Sequence, residues 1–155
     1  MFKSTMFKST AFKLTGLVLP LVLAAAAQAA TEMRLAVGFT TTQVGGQTVG
    51  SYGLANIVSR DSRGEFCLGY ADLSPDHVLT LEQDFSQLAI AVDSGGADTT
   101  LLIQGPNGSV WCNDNASRQS RDAQIQGTFP KGAYQVWVGS FDQDGRHRYT
   151  LKISE

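Results

Sequence analysis

Leu88-Ala89-Ile90-Ala91-Val92-Asp93 places a large apolar side chain at every second position, and Tyr149-Thr150-Leu151-Lys152-Ile153-Ser154 does the same. In Gly132-Ala133-Tyr134-Gln135-Val136-Trp137-Val138-Gly139-Ser140, Tyr134, Val136 and Val138 share one face, with Gln135, Trp137 and Gly139 opposite. Side chains of an extended chain alternate between two faces, so this period of two marks strands that bury one face. Helical spacing is nearly absent. Residues 78–82, 99–104 and 124–129 extend the pattern on either side, the second run rich in β-formers. Short turn signals separate the runs: Gly95-Gly96, Gly105-Pro106-Asn107-Gly108, Pro130-Lys131-Gly132 and Asp142-Gln143-Asp144-Gly145. Strands at such regular spacing predict an all-β fold, an antiparallel β-sandwich or barrel. A parallel α/β fold would need crossover helices, and there is no obvious place for them. Further upstream, residues 33–39 and 54–58 read as short strands. Gly45, Gly46, Gly50 and Gly53 make the stretch between them loop-rich, and Arg60-Asp61-Ser62-Arg63-Gly64 reads as an exposed turn.

Residues 1–30 have a different composition. Lys3, Lys8 and Lys13 give a positive start without acids, and an apolar stretch runs from Leu14 to Ala27. It closes on Ala27-Gln28-Ala29, the small-x-small pattern that a signal peptidase accepts. The apolar run is short of the roughly twenty residues needed to span a bilayer. The expectation is a signal peptide over 1–30, cut after Ala29 or Ala30, and a single β-sandwich domain over 31–155. The protein is then exported, to the periplasm or beyond the cell. Met1-Phe2-Lys3-Ser4-Thr5 is repeated at 6–10, so Met6 is an alternative start.

Removing the leader shifts the charge. The chain has 12 Lys and Arg against 14 Asp and Glu; without the three leader lysines, residues 31–155 carry 9 against 14, a net charge of −5. An acidic domain without a basic run is a poor partner for nucleic acid, whose phosphates require clustered cations. No later apolar run reaches bilayer length, so no membrane span is expected. The two cysteines, Cys67 and Cys112, pass through an oxidising compartment on export, which makes a Cys67–Cys112 disulfide the default reading. Free thiols would need a reducing compartment. A metal pair would need further Cys or His at zinc-type spacing, which neither cysteine has.

From Phe66 onward a series of motifs occurs in order: Cys67-Leu68-Gly69-Tyr70, Pro75-Asp76-His77, Asp98-Thr99-Thr100-Leu101, Gly105-Pro106-Asn107-Gly108, Trp111-Cys112-Asn113-Asp114, the Gly132 to Ser140 run and Tyr149-Thr150-Leu151. This series resembles the bacterial pre-peptidase C-terminal domain, a β-sandwich found beside secreted peptidases and as free-standing exported proteins. The match covers about the last ninety residues well, and the stretch from Leu35 to Gly53 only loosely. The resemblance implies a jelly-roll-like sandwich with no catalytic activity in a bacterial exported setting. Some relatives fused to collagen-degrading peptidases bind calcium and substrate.

Calcium takes six to eight oxygens from carboxylates and carbonyls on loops. Asp98 opens a strand, Cys112 fixes Asn113 and Asp114 nearby, and Asp122 lies just beyond. Asp98, Asn113 and Asp114 are therefore the candidate metal ligands. The ordinary alternative is that Asp and Asn cap turns here by satisfying nearby backbone amides. Trp137, opposite the Tyr134 face, is the candidate binding residue: an exposed indole would stack on a sugar ring or anchor a protein. Its alternative is cover by a loop or by Arg146 or Arg148. For catalysis there is neither a G-x-S-x-G elbow nor an H-E-x-x-H helix nor a phosphate loop, and His77, after Pro75 and Asp76, reads as a turn residue. The expected function is a non-catalytic binding or accessory module with a protein or polysaccharide ligand. The alternative is a structural or adhesive envelope protein that contacts a polymer through surface aromatics.

Overall fold

In the computed structural model, residues 29–155 are described, and the leader expected over 1–30 lies almost entirely outside them. Two sheets pack face to face. The larger is built around the central strand β10 (Gly132–Ser140). On one side β10 pairs antiparallel with β7 (Thr99–Gln104), which pairs in turn with β8 (Val110–Asn113). On its other side β10 pairs with β5 (His77–Leu81), and at its far end with β4 (Tyr70–Ala71) and through it β3 (Tyr52–Gly53). At the outer edge β1 (Thr31–Leu35) joins β5 in parallel, the one departure from antiparallel pairing among the described strands. The second sheet runs in the order β2 (Thr42–Gln47), β11 (Arg148–Ser154), β6 (Phe85–Asp93) and β9 (Gln124–Phe129).

The alternating runs become these strands because each lays one face into the space between the sheets. Leu88, Ile90 and Val92 of β6, Tyr149, Leu151 and Ile153 of β11, and Tyr134, Val136 and Val138 of β10 meet there with Phe85, Leu101, Ile103 and Phe129. Trp111 stacks on Phe129 with ring centroids 4.8 Å apart. A second, smaller cluster lies on the outer face of the larger sheet, where Leu102 and Trp137 pack under Leu54, Ala71 and the half-cystines. The Cys67–Cys112 disulfide is formed, with Cα atoms 5.2 Å apart, and it ties the covering segment to β8.

Two upstream readings are corrected. Residues 54–57 form a single helical turn, α1 (Leu54–Ile57), rather than a strand; only Leu54 is buried, so there is no alternating face to hold an extended chain in register. Gly45 and Gly46 lie inside β2, because a side chain at Gly46 would collide with the Tyr149 ring from the neighbouring strand. Glycine is here a packing requirement and not a turn signal.

Candidate binding cleft

β5 stops pairing with β10 at the His77–Val136 pair, and β4 resumes at the Tyr70–Ser140 pair. The loop between them carries Asp72, Ser74, Pro75 and Asp76. Asp76 closes the gap itself: its backbone N–H donates to Val136 O at 2.9 Å, and its Oδ2 accepts the Val138 N–H at 2.8 Å. A side-chain carboxylate thus stands where a strand carbonyl would have been. This leaves the sandwich edge open, as a cleft of about 480 Å³ between the loop and β2.

At the floor of the cleft the two sheets meet through polar groups. His77 Nε2, from β5, is 2.9 Å from the Tyr149 hydroxyl of β11, with the rings edge to face. Both residues are buried, His77 only 2% exposed, and its Nδ1 has no hydrogen-bond partner. Buried polar atoms are nearly always paired, and among the described residues this ring nitrogen is an exception. Burial drives the His77 pKa down to about 4, which keeps the imidazole neutral at ordinary pH. Burial also drives Asp76 up to about 6; the Val138 N–H opposes this, and the neighbouring Asp72 charge adds to it. Tyr149 is raised as well, by burial and then by Asp76. Shifted groups gathered in one cleft are the mark of a functional site. No Lys or Arg is among the described lining residues, so within them Asp72 and Asp76 face each other's charge without a counter-ion.

A histidine of pKa near 4 is a weak proton acceptor at neutral pH, and its Nε2 is held by Tyr149 rather than by Ser74. No activated nucleophile results.

Among solved structures, the protein is similar to the pre-peptidase C-terminal domain of collagenase from Bacillus anthracis, with 14% identity and a TM-score of 0.49 over 83% of this chain and 97% of that one. It is also similar to PliG from Aeromonas hydrophila, a periplasmic lysozyme inhibitor of g-type lysozyme, with 13% identity and a TM-score of 0.46 over 81% of this chain and 94% of that one. The likeness is one of fold. No protein-family model and no curated protein matches the sequence.

The residues singled out from the sequence lie elsewhere. Trp137 is 3% exposed in the outer cluster, with its Nε1–H directed to Leu73 O at 3.4 Å. Of the two readings of this indole, exposed or covered, the structure has the covered one: the disulfide-tied segment lies over it rather than Arg146 or Arg148. Asp98 forms an ion pair with Arg121 at 3.5 Å, and its Oδ1 is buried without a partner. Asn113 Oδ1 accepts the Gln124 N–H. Asp122 accepts from the Ser94 hydroxyl and backbone N–H and from the Thr99 hydroxyl. Among the described residues, no three His, Cys, Asp or Glu side chains converge as a metal site. Asp98 and Asn113 thus each have a protein partner within the domain.

Asp76, His77 and Tyr149 were legible only in part. His77 shares its face with Leu79 and Leu81, and that alternation contradicts a turn. The joining of β5 to β11 across the sandwich has no sequence signature.

Proposed function

We propose that this is an exported, non-catalytic binding module that recognises a Lys- or Arg-bearing segment of a protein partner in the cleft of Asp72, Asp76, His77 and Tyr149. The carrying observation is the pair of carboxylates, Asp72 and Asp76, with no Lys or Arg among the described residues of the cleft wall. Export is supported by the leader pattern and by the disulfide. Among the described residues no helix is long and apolar enough to cross a membrane. The net charge of −5 on residues 31–155 favours encounter with a basic partner.

The test is an NMR titration of the mature protein with capped tripeptides centred on arginine, lysine or citrulline. The arginine and lysine peptides should shift the Gly45, Gly46 and His77 amides, and citrulline, which lacks the charge, should not. Asp72→Asn should weaken the response several-fold. Equal responses to all three peptides would overturn the reading. We further propose that the fold stands without calcium, since Asp98 pairs with Arg121 and Asp122 accepts from Ser94 and Thr99.

A second reading has its own observation. Tyr52, Phe66, Leu68 and Leu73 remain exposed around the outer cluster, at 40–64% for the four. Phe66 already has one face covered by the Arg60 guanidinium, 3.6 Å from its ring centroid. An adhesive role would run through this surface rather than through Trp137. Retention on cell-wall glycan that falls with Phe66→Ala and not with Asp72→Asn would favour it.

A further inference from the structure

Ala29 and Thr31 line the same cleft as Asp72 and Asp76, and the Thr31 N–H donates to Asp76 O at 3.0 Å. Parallel pairing of β1 with β5 holds this start of the strand in place, with Thr31 opposite His77. The leader pattern puts the cut after Ala29 or Ala30. A cut there turns a neutral amide into an α-ammonium, a cation with an ordinary pKa near 8.

We propose that removal of the leader places the new α-ammonium, on Ala30 or Thr31, in the cleft beside Asp72 and Asp76, so that the mature amino terminus is a built-in cationic wall of the site. The cleft suits a cation on two grounds: Asp72 and Asp76 have no Lys or Arg beside them among the described lining residues, and the Thr31 backbone nitrogen already reaches the Asp76 carbonyl. A cut after Ala30 puts the charge on the nitrogen that already reaches the Asp76 carbonyl oxygen; a cut after Ala29 puts it one residue earlier, next to Thr31, which lines the cleft. Opposite charges within a few ångströms in a partly buried site hold both groups ionised. Two carboxylates against one ammonium leave the mouth negative, so a basic partner is still favoured. Processing then does more than release the chain: it supplies a charge that the precursor lacks at this position. This inference rests on the export reading and stands whether or not a partner uses the cleft.

The test begins with protein exported on its own leader. Intact mass should give Ala30 or Thr31 as the first residue. Acylation of the α-amino group is then followed against pH by peptide mass spectrometry. Wild type should titrate about one pH unit or more above the ordinary value near 8, which makes acylation at pH 8 several-fold to tenfold slower than for a free terminus. Asp72→Asn, at an exposed position, should return the midpoint toward 8, as should a Gly-Ser-Gly-Ser extension that carries the ammonium away. Asp84→Asn, which keeps the acceptor for the Lys131 N–H at the opposite end of β5, should leave it unmoved. A first residue elsewhere, or a wild-type midpoint near 8 that Asp72→Asn does not move, would overturn the proposal. The readout needs no partner, so it fails or succeeds separately from the peptide titration.

Discussion

The two apolar clusters hold the protein together by different means. Between the sheets, side chains from both layers interlock over the length of β6, β10 and β11, and most are fully buried. On the outer face, Trp137, Leu102 and Leu54 are covered by a segment with few strand pairs of its own, the two-residue β3 and β4. That cover is fixed by a covalent bond and by Asp61, whose buried carboxylate accepts the N–H groups of Arg63 and Glu65 at 2.8 and 3.0 Å. Where the sheets supply enough apolar surface, packing suffices; where they do not, a cross-link and local hydrogen bonds replace it. The cleft lies where the first region ends, at the edge where interlocking gives way to the His77–Tyr149 contact.

The largest effect should come from the inter-sheet core. Phe129→Ala removes a ring that packs on Trp111 and Tyr134 and should cost about 3–5 kcal/mol, read as a lower denaturant midpoint with one cooperative transition. Loss of stability confined to a few strands would break the comparison. Replacing both Cys67 and Cys112 by serine should cost about 2–4 kcal/mol, given the 45-residue separation. Hydrogen exchange in that variant should rise first over residues 54–71, with β6 and β11 still protected. Uniform loss of protection would merge the two regions into one.

A smaller effect belongs to pH, measured on the extended form in which the ammonium is carried away. Folded His77 binds a proton only below about 4, whereas an unfolded imidazole binds one below about 6.5, so this residue makes stability fall as pH drops through that window. Asp76 acts in the opposite sense. Folded, it keeps its proton up to about 6, while the unfolded carboxyl loses it near 4, so stability falls as pH rises between those values. The two slopes oppose each other over most of the range. Relative to wild type, Asp76→Asn should show stability climbing from pH 4 to 6.5, and His77→Gln should show it declining from pH 4 to 6. Superimposable profiles would remove the cleft from the account. The smallest effect is expected from a chelator: the melting temperature should stay the same with and without added calcium, and a drop of several degrees that calcium reverses would show an ion site.

The strands were legible wherever one face meets the core. The run at 124–129 coincides with β9, where alternation records burial, and the run at 99–104 coincides with β7, which is buried on both faces and was legible from its β-formers instead. β2 was hidden because its glycines face the Tyr149 ring across a strand pair, and contacts between strands distant in sequence leave no local pattern. The same reason hides the cleft. Asp76 looks like a turn residue because in sequence it is one; its work, receiving the Val138 N–H, depends on a strand 62 residues away. Trp137 was correctly set opposite the Tyr134 face, but its cover comes from the disulfide-tied segment, whose path periodicity does not describe.

The most direct measurement follows the His77 ring by nitrogen-15 NMR as a capped arginine peptide is added to the mature protein. A neutral imidazole at pH 6 whose ring nitrogens shift on peptide addition, with the shift lost in Asp72→Asn, is the predicted result. A ring already protonated at pH 6, or one indifferent to the peptide, would contradict the assignment of this cleft as the recognition site.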